Sequence, residues 1–530
     1  MKVDHAESQA ERPPISAASV CELVLLLLLL LYVVAWAQIY VSWTRWSEHE
    51  HFATLAYAWT VGERPYRDFI NINFPGEVYV FWLLGETCGW SAEWSIYAFD
   101  LVCLALAFLF LMAWSRRITG RWAAGLGVTA IYLSYYTTLS YHVTAQRDSQ
   151  AALLALVCVL APTAWRGRGG VIASGVAFAV AFVIRPHVVA FLPAVAVAIS
   201  SAPWPGWRSL LAKAVAWSVA AIAASLPLWA PLVVTGLWRD MIEAMKLILF
   251  GEFRDLGGLG RPSIVTLVRE ILWTKHYLGV AVLAAVCCAF GRWSSWRSAW
   301  LSVVAAQASG ILYILLHPAR HGYLDQPLMV FWAVALGLFL AEVCQAAVPA
   351  RWGMAIVLVL AFAFQYPHAR FTGSVGLALR GTPDGAAGRR EIWRRQADSA
   401  TADLSWEDYD ELCEWILSHT TSETRIANFI WGANFATNVG RLPALPVEGP
   451  WLWYHAASEP RFRTALGKYP DTVLLWIPEK FDQQYGSFPE LVDLIRTEYE
   501  PVSQIGAVQV CRRVTRSSTA RAQEVVTRSD

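Results

Sequence analysis

A chain of 530 residues that is 56% hydrophobic and only 16% charged is long enough for many membrane spans, and its mean hydropathy is positive. Because its formal net charge is only +1, the composition argues against nucleic acid as a partner. We therefore expect a polytopic α-helical membrane protein, in which many of the 28 tryptophans mark the interfacial ends of spans.

The N-terminal end predicts a short tail followed by a membrane anchor. Residues 1–19 are mostly polar and are expected to form a cytoplasmic tail. Residues 20–41 are apolar, with an unbroken leucine run over residues 25–31. Since this stretch has the length of a membrane helix and lacks a small-residue cleavage site, we interpret it as an uncleaved first span.

The segment after this span predicts an amphipathic helix that carries two carboxylates with different roles. Ser47 and Glu50 have the spacing of a capping box, so helix capping explains Glu50. Glu48 lies four residues before Phe52 and therefore shares the apolar face of the helix. Gly62 is expected to end the helix. Capping does not explain Glu48, which is a candidate general base or, alternatively, a surface acid that the dipole favours at the start of a helix.

The first span is followed by an acidic residue, the amphipathic helix, the sequence G-x-x-P-Y-R-D-F and an N-F-P-G turn. Together these features resemble the first external loop of GT-C glycosyltransferases. These membrane enzymes use polyprenyl-phosphate sugars and include protein O-mannosyltransferases, the lipid A aminoarabinose transferase and bacterial relatives. In that group the loop usually begins with Asp-Glu, and the Asp is the catalytic base. Counting back from Gly62 puts Glu48 at the position of this Asp. The resemblance therefore implies that Glu48 is the base, with Glu50 as the alternative, in a loop spanning residues 43–94.

Hydropathy predicts ten further spans, and their basic flanks set the topology. Arginine and lysine clusters follow spans two, four, six and eight, which places those connections in the cytoplasm. Eleven spans with a cytoplasmic N-terminus and an external C-terminus, in the cytoplasmic membrane, are also what the GT-C resemblance implies. The ten spans are residues 96–114, 122–139, 149–165, 171–184, 188–199, 214–234, 277–290, 299–316, 328–344 and 354–364.

Two further acids are candidates for orienting the site or binding the acceptor. Asp148 lies on the short external turn between the third and fourth spans, where related enzymes often carry a second acid of this kind. Its position at the start of a span equally allows a capping role. Asp68 in P-Y-R-D-F is the other candidate, although pairing with Arg67 to fix the loop is the simpler interpretation.

The GT-C resemblance also implies that residues at the outer ends of spans, or in the external segment 236–275, hold the donor phosphate. An arginine offers forked donors to phosphate oxygens and stays charged, so it stabilises a leaving phosphate without a metal. Alternatively, these arginines contact lipid headgroups. Segment 236–275 is either a mobile loop over the site or a solvated connector. The candidates are Arg185, His187, Arg254, Arg261, Arg320 and Tyr323.

The C-terminal part predicts a small external α/β domain. Residues 404–514 contain two helical patterns, at 409–417 and 491–495, and short strands that begin near residues 425, 472 and 508. A strand ending in W-G and followed by G-R-x-P-A is similar to the external C-terminal domains of bacterial GT-C proteins. Cys413 and Cys511 could pair there if the domain is external. A linker over residues 369–403 separates this domain from the membrane part, residues 20–368, and a disordered tail, residues 515–530, follows it.

The resemblance implies an inverting hexosyl or pentosyl transferase that moves a sugar from a polyprenyl-phosphate donor to a lipid, glycan or protein acceptor on the outer face of the membrane. No cofactor is expected. A divalent metal is not expected either, because His317 and His321 lie one helical turn apart but lack an evident third ligand. Two other classes stay open. One is a transporter or flippase, for which no clear internal repeat is found; the other is an inactive scaffold of the same fold that has lost the Asp.

Overall fold

The structure is a computed structural model that describes the chain in segments. Half of the predicted span 277–290 and all of the predicted span 354–364 lie outside the described residues, as do the linker 369–403 and the tail 515–530. The described residues are 17–43, 45, 47–69, 71, 73–139, 143–165, 167–201, 206–250, 263–269, 281–282, 284–286, 288–289, 296–317, 322–345, 404–430, 435–446, 459–480 and 488–514.

The N-terminal part is helical, and its helices follow the predicted spans closely. Five helices of the described part are long and apolar enough to cross a membrane, so a multi-pass helical membrane protein is confirmed, while the count of eleven spans stays a prediction. The helices are α1 (Ala17–Tyr40), α2 (Ser47–Thr60), α3 (Gly76–Cys88), α4 (Trp94–Thr119), α5 (Ala123–Tyr136), α6 (Arg147–Ala164), α7 (Arg168–Ile184), α8 (Leu192–Ser200), α9 (Gly206–Thr235), α10 (Leu237–Phe250), α11 (Ile264–Arg269), α12 (Arg297–Leu316) and α13 (Gln326–Gln345).

Helix α6 lies at the centre of the bundle. It is buried over nearly its whole length and packs against α4, α7, α8, α12 and α13. Small side chains such as Ala151, Ala152 and Ala155 let these neighbours approach closely. Because the surrounding helices enclose even its first turn, Arg147 and Asp148 are buried rather than exposed at the outer surface.

The segment between α1 and α4 contains the predicted amphipathic helix and a second helix that was not predicted from the sequence. α2 begins at Ser47, as predicted, and the chain leaves it through Gly62, whose φ of 97° is a conformation that favours glycine. α3 begins at Gly76, inside the N-F-P-G turn. A Cβ at Gly76 would lie 2.7 Å from the backbone of Ile184, so only glycine allows the start of α3 to contact the end of α7.

The hinge predicted at Arg185-Pro186-His187 is a break between two helices. α7 ends at Ile184, Arg185 is extended (φ −145°, ψ 104°), and a 3₁₀ turn over Pro186–Phe191 leads into α8. The residue before a proline is sterically disfavoured from helical geometry, which explains why α7 stops here. The break takes Arg185 out of the helix and lets its side chain reach the N-terminus of α6.

The description of segment 236–275 as a mobile loop is wrong for its first part. α10 runs over Leu237–Phe250 directly after α9, and α11 follows over Ile264–Arg269. Met241 and Ala244 of α10 pack with Leu232 of α9 and with Tyr66 of the segment between α1 and α4. Arg254 and Arg261 lie outside the described residues.

The C-terminal domain is a four-stranded sheet with helices on both faces, as the α/β prediction requires. The strand order is β1-β2-β4-β3, with β1 parallel to β2 and the other neighbours antiparallel. Strand β3 was not predicted, since its sequence Y-E-P-V-S-Q-I is largely polar and exposed at the sheet edge. The elements are α14 (Trp406–His419), β1 (Arg425–Asn428), α15 (Ala436–Val439), α16 (Glu459–Lys468), β2 (Thr472–Trp476), α17 (Pro489–Glu498), β3 (Tyr499–Ile505) and β4 (Val508–Arg513).

The two cysteines of this domain do not pair. Cys413 on α14 packs against Ile416 and the other apolar residues of one face of the sheet. Cys511 on β4 packs with Leu491 and Phe462 on the opposite face. Both are free thiols. The disulfide considered from the sequence is therefore wrong, because the sheet separates the two side chains.

Candidate active site

The apolar face of α2 directs Glu48 into the protein, as its helical position predicts. Glu48 is 2% exposed, and Arg147 at the start of α6 donates a hydrogen bond from Nη2 to its Oε1 at 2.5 Å. The Arg147 guanidinium also lies over the ring of Phe52, 5.1 Å from its centroid. Asp148 was predicted from the sequence as a site residue, but its neighbour Arg147 was not. The feature that could have indicated Arg147 is its charge, directly beside Asp148 on a short turn at the membrane surface.

Asp148 belongs to a second buried ion pair beside the first. Arg185 donates from Nε to Asp148 Oδ1 at 3.0 Å, and the hydroxyl of Tyr313 on α12 donates to the same oxygen. Gln146 occupies the N-cap position of α6 without a side-chain capping bond. Asp148 therefore does not cap the helix, and the break before Pro186 and the start of α6 together place Arg185 beside it.

Glu77, in the first turn of α3, is a third acid of this cluster that the sequence analysis missed. It is 1% exposed. Burial raises its pKa to about 8, the nearby Arg147 opposes the shift, and the negative charges of Glu48 and Asp148 add to it. Burial also raises the pKa of Glu48, against the attraction of Arg147 and Arg185. Glu77 is thus mainly protonated at neutral pH, next to a carboxylate that Arg147 helps to keep charged.

Several polar atoms of the cluster are buried but have no hydrogen-bond partner among the described residues. Buried polar groups are nearly always hydrogen-bonded, so such a group of donors and acceptors is what a polar substrate would satisfy. The atoms are Glu48 Oε2, Glu77 Oε2, Asp148 Oδ2, Arg147 Nε and Nη1, Arg185 Nη2 and His187 Nδ1.

The structure brings some of the predicted phosphate-binding residues to this cluster. The ring of His187 lies 5.9 Å from that of Tyr313 and 5.3 Å from that of His317. Tyr323, in the turn before α13, is buried close enough to interact with the charges of Glu48 and Arg185. Arg320 lies outside the described residues, as do Arg254 and Arg261.

Asp68 lies apart from the cluster. Its carboxylate accepts the backbone N–H of Arg64 at 2.8 Å, and its predicted ion pair with Arg67 is not among those of the described residues. The exposed Arg67 instead accepts, through its backbone carbonyl, a hydrogen bond from Arg461 of the C-terminal domain. No described hydrogen bond or ion pair joins Asp68 to Glu48, so a role for it in orienting the site has no support in the geometry.

No group of three or more His, Cys, Asp or Glu side chains that could hold a metal ion is present in the described part of the chain.

Glu50 contacts the C-terminal domain, while the capping box stays a prediction because the Ser47 side chain lies outside the described part of the chain. The Thr437 hydroxyl on α15 donates to Glu50 Oε2 at 2.5 Å, and Arg45 Nη1 lies 3.5 Å from Oε1. The Arg45 guanidinium also donates to the carbonyl oxygens of Trp90 and Ala92, at 2.8 and 2.9 Å. This buried contact fixes the helix that carries Glu48 to the C-terminal domain.

Further polar contacts join the C-terminal domain to the segment between α1 and α4. Arg425 of β1 pairs with Glu63 at 2.6 Å, and Asn438 of α15 donates to Glu93 at 2.9 Å. Both acids lie in the segment between α1 and α4, Glu63 after α2 and Glu93 directly before α4. The domain therefore rests on the same segment that supplies Glu48, Glu50 and Glu77.

Thr437→Val tests the contact between Glu50 and the C-terminal domain. We expect it to lower the stability of the full-length protein by about 1–3 kcal/mol, because the buried Glu50 oxygen loses its donor. Thermal unfolding in detergent measures the change. Thr464→Val is the control, since that exposed hydroxyl bonds to a carbonyl of its own helix, and it should cost less than about 0.5 kcal/mol. Equal unfolding temperatures for the two variants would contradict the contact.

No family model matches the chain, and no curated protein sequence matches it. Among solved structures, ArnT from Cupriavidus metallidurans bound to undecaprenyl phosphate aligns with a TM-score of 0.61 and 14% identity, over 94% of this chain and 99% of that chain. Its apo structure aligns with a TM-score of 0.57 and 13% identity, over 94% and 98%. The apo oligosaccharyltransferase of Archaeoglobus fulgidus reaches a TM-score of 0.45 at 13% identity, over 94% and 74%. The likeness to ArnT, an aminoarabinose transferase, shows that this chain has the fold of a GT-C glycosyltransferase.

Proposed function

We propose that the protein is an inverting glycosyltransferase that takes a sugar from a polyprenyl-phosphate donor and transfers it, at the outer face of the cytoplasmic membrane, to a lipid, glycan or protein acceptor. The observation that carries the proposal is the buried Glu48 carboxylate, with one oxygen on Arg147 and the other without a partner in the described structure. The proposal places this carboxylate in the first external loop of a GT-C enzyme. The ArnT structure that binds undecaprenyl phosphate supports a donor of that class.

In the proposed reaction Glu48 acts as the general base. Its Oε2 accepts the proton of the acceptor hydroxyl while the hydroxyl oxygen forms a bond to the anomeric carbon. The bond between that carbon and the phosphate oxygen breaks on the opposite side, and the polyprenyl phosphate leaves with the electron pair. Displacement from the opposite side inverts the anomeric configuration. Arg147 holds Glu48 Oε1, which keeps the carboxylate charged and directs Oε2 toward the acceptor.

Arginines of the site would compensate the charge of the donor phosphate. Arg185 is buried, Asp148 binds only its Nε, and its Nη2 has no partner among the described residues. A guanidinium in this state can donate to a phosphate oxygen while Asp148 holds it in place. Tyr323 and His187 lie near enough to contribute donors, and Arg320, Arg254 and Arg261 stay candidates from the sequence. This arrangement would stabilise the leaving phosphate without a metal ion.

The proposal is tested by following a single sugar. Full-length protein in nanodiscs is given undecaprenyl phosphate carrying a hexose or an aminopentose, together with a lipid and glycan extract from the cells that make the protein. Mass spectrometry should show undecaprenyl phosphate released and one extracted molecule heavier by one sugar. Donor binding without release of undecaprenyl phosphate, for every donor tried, would contradict the proposal and favour an inactive scaffold. Donor movement between leaflets would favour a flippase.

The outer location of the site is tested by cysteine labelling. Ala507 lies in the exposed turn between β3 and β4, and Arg117 lies exposed at the end of α4 opposite to the segment that carries Glu48. With the exposed Cys21 and Cys88 replaced by serine, we expect Ala507→Cys to react with a membrane-impermeant maleimide on intact cells. Arg117→Cys should react only after the membrane is opened. The reverse pattern would place the site in the cytoplasm and remove the basis for the proposed location.

The two buried glutamates predict a bell-shaped pH profile for kcat/KM. Glu48 must be ionised to act, so the rate rises with pH through its raised pKa. Burial raises the pKa of Glu77 to about 8, and above that value its negative charge competes with Glu48 for Arg147 and repels the donor phosphate, so the rate falls again. Glu77→Gln cannot ionise. It should keep its activity at neutral pH and lose the alkaline limb, and an unchanged alkaline limb would assign that limb to another group.

A further inference from the structure

A buried carboxylate that no step of the proposed transfer uses lies at the outer ends of α1, α4 and α5. Asp100 on α4 is fully buried, and its Oδ2 accepts hydrogen bonds from the hydroxyls of Tyr40 at 2.7 Å and Tyr136 at 2.8 Å. An ionisable residue within a membrane span is energetically costly and is by default a hypothesis of function. The sequence analysis did not single it out.

Tyr136 connects this carboxylate to the turn that precedes the candidate active site. Because Tyr136 gives its own proton to Asp100, its oxygen is free to accept the backbone N–H of Ala145, at 2.9 Å. Ala145 has a φ of 52°, in the left-handed region that residues other than glycine seldom adopt. Such a turn persists only where its surroundings fix it. Two residues later, α6 begins with Arg147.

The same turn is held from a second side. Gln326, fully buried at the start of α13, donates from Nε2 to the carbonyl oxygen of Val143 at 2.6 Å. The described part of the loop before α6, residues 143–146, therefore has one anchor at Val143 and another at Ala145. With both anchors in place, the position of the first residue of α6 is determined, and that residue is the partner of Glu48.

We propose that Asp100 and Tyr136 are positioning residues, which hold the turn at Ala145 and thereby keep the Arg147 guanidinium against the Glu48 carboxylate. The proposal rests on the proposed function of Glu48 as base. Asp100 fixes the direction of the Tyr136 proton, so that the tyrosine oxygen always faces the Ala145 amide as an acceptor. Without this hold the turn can relax, and Arg147 moves relative to Glu48.

The chain supplies a matched control on the same helix. Tyr132 lies one turn before Tyr136, is also fully buried, and stacks on it with ring centroids 5.7 Å apart. Its hydroxyl has no hydrogen-bond partner among the described residues. Tyr132→Phe and Tyr136→Phe thus remove the same atom from neighbouring buried rings, but only the second breaks the connection between Asp100 and Ala145.

The kinetic test compares the pH profiles of the full-length variants in nanodiscs, with an undecaprenyl-phosphate sugar as donor. Misplacing catalytic groups by about 1 Å can cost as much as a hundredfold, so Tyr136→Phe should lower kcat/KM by roughly ten- to a hundredfold. Its acid limb should also move to higher pH, because Arg147 no longer favours the ionised form of Glu48. The other groups that act on Glu48, namely Arg185, Asp148, Glu77 and Tyr323, are unchanged in this variant. Tyr132→Phe should leave both quantities at the parent value.

A second measurement needs no turnover. Amide hydrogen exchange followed by mass spectrometry should show faster exchange over residues 143–150 in Tyr136→Phe, and parent-like exchange in Tyr132→Phe, because only the first variant removes the acceptor of the Ala145 amide. If Tyr136→Phe does not fold, the isosteric Asp100→Asn carries the test. It removes the charge that orients the Tyr136 proton and should move the acid limb in the same direction.

The outcomes separate this inference from the proposed function. An acid limb and amide exchange that match the parent in Tyr136→Phe, while Glu48→Gln is inactive, would overturn the positioning role and leave the base assignment intact. Full activity of Glu48→Gln would overturn both. A lower unfolding temperature with an unmoved acid limb means that Asp100 and Tyr136 serve stability alone, which also overturns the inference.

Discussion

Glu48→Gln is expected to slow sugar transfer by at least about a hundredfold, which is within the usual cost of losing a general base. Glutamine matches the size of glutamate, and its carbonyl oxygen can still accept the Arg147 hydrogen bond. It cannot take a proton from the acceptor. The variant should therefore fold, insert and bind undecaprenyl phosphate as the parent does. Transfer by purified protein in nanodiscs, with donor binding measured in parallel, gives the result.

Glu50→Gln is the matched control for this experiment. Glu50 lies on the same helix, two residues away, and is also a buried carboxylate. Glutamine at this position can still accept the Thr437 hydrogen bond, so transfer should stay within a few-fold of the parent. If Glu50→Gln is inactive while Glu48→Gln is active, the base is assigned to the wrong residue. If both are active, the base lies elsewhere, and Glu77 and Asp148 are the next residues to test.

The second large effect is expected for the pair formed by Arg185 and Asp148. Arg185→Gln alone leaves Asp148 buried without its ionic partner, and breaking such a pair costs about 3–5 kcal/mol of stability. The double variant Arg185→Gln/Asp148→Asn removes both charges and should regain most of this loss. If Arg185 holds the donor phosphate, the double variant should still bind undecaprenyl phosphate more weakly by about 1.5–3 kcal/mol, or roughly ten- to a hundredfold in Kd.

The single variant Asp148→Asn is the third variant of this experiment. It keeps the Arg185 charge and removes the carboxylate that competes with phosphate for it, so undecaprenyl phosphate should bind at least as tightly as in the parent. Thermal unfolding and lipid binding are measured on the same preparations of all three variants. Parent-like binding by the double variant would show that Arg185 serves only to neutralise Asp148.

Much of the helical part follows from local sequence patterns. The predicted span at residues 96–114 lies within α4 (Trp94–Thr119), and the span at 299–316 matches α12 (Arg297–Leu316) to within two residues. A run of apolar side chains long enough to cross a bilayer specifies a helix whatever it packs against. The same holds for the inward position of Glu48, because helical periodicity alone puts it on the apolar face of α2.

The sequence predictions were incomplete where the local sequence is compatible with more than one arrangement and tertiary contacts select one of them. Glu50 has capping-box spacing, and nothing in the local sequence shows that its carboxylate also bonds to Thr437, 387 residues away in the chain. Glu77, the acid that follows the N-F-P-G turn, was assigned no role from the sequence. The local sequence does not show that the first turn of α3 packs against the end of α7. The polar strand β3 exists because β4 pairs with it, and such pairing leaves little trace in a single strand's sequence.

The sequence by itself determined that this is a multi-pass helical membrane protein with a C-terminal α/β domain, and that Glu48 faces the protein interior. These properties depend on side-chain patterns within one helix or strand. Only the tertiary structure decided the partners: Arg147 for Glu48 at a separation of 99 residues, Arg185 for Asp148, and Tyr136 for Asp100. Periodicity states which face of a helix is buried but not what it is buried against. The pairing of charges depends on how the helices pack around α6, and no segment of the sequence encodes that packing alone.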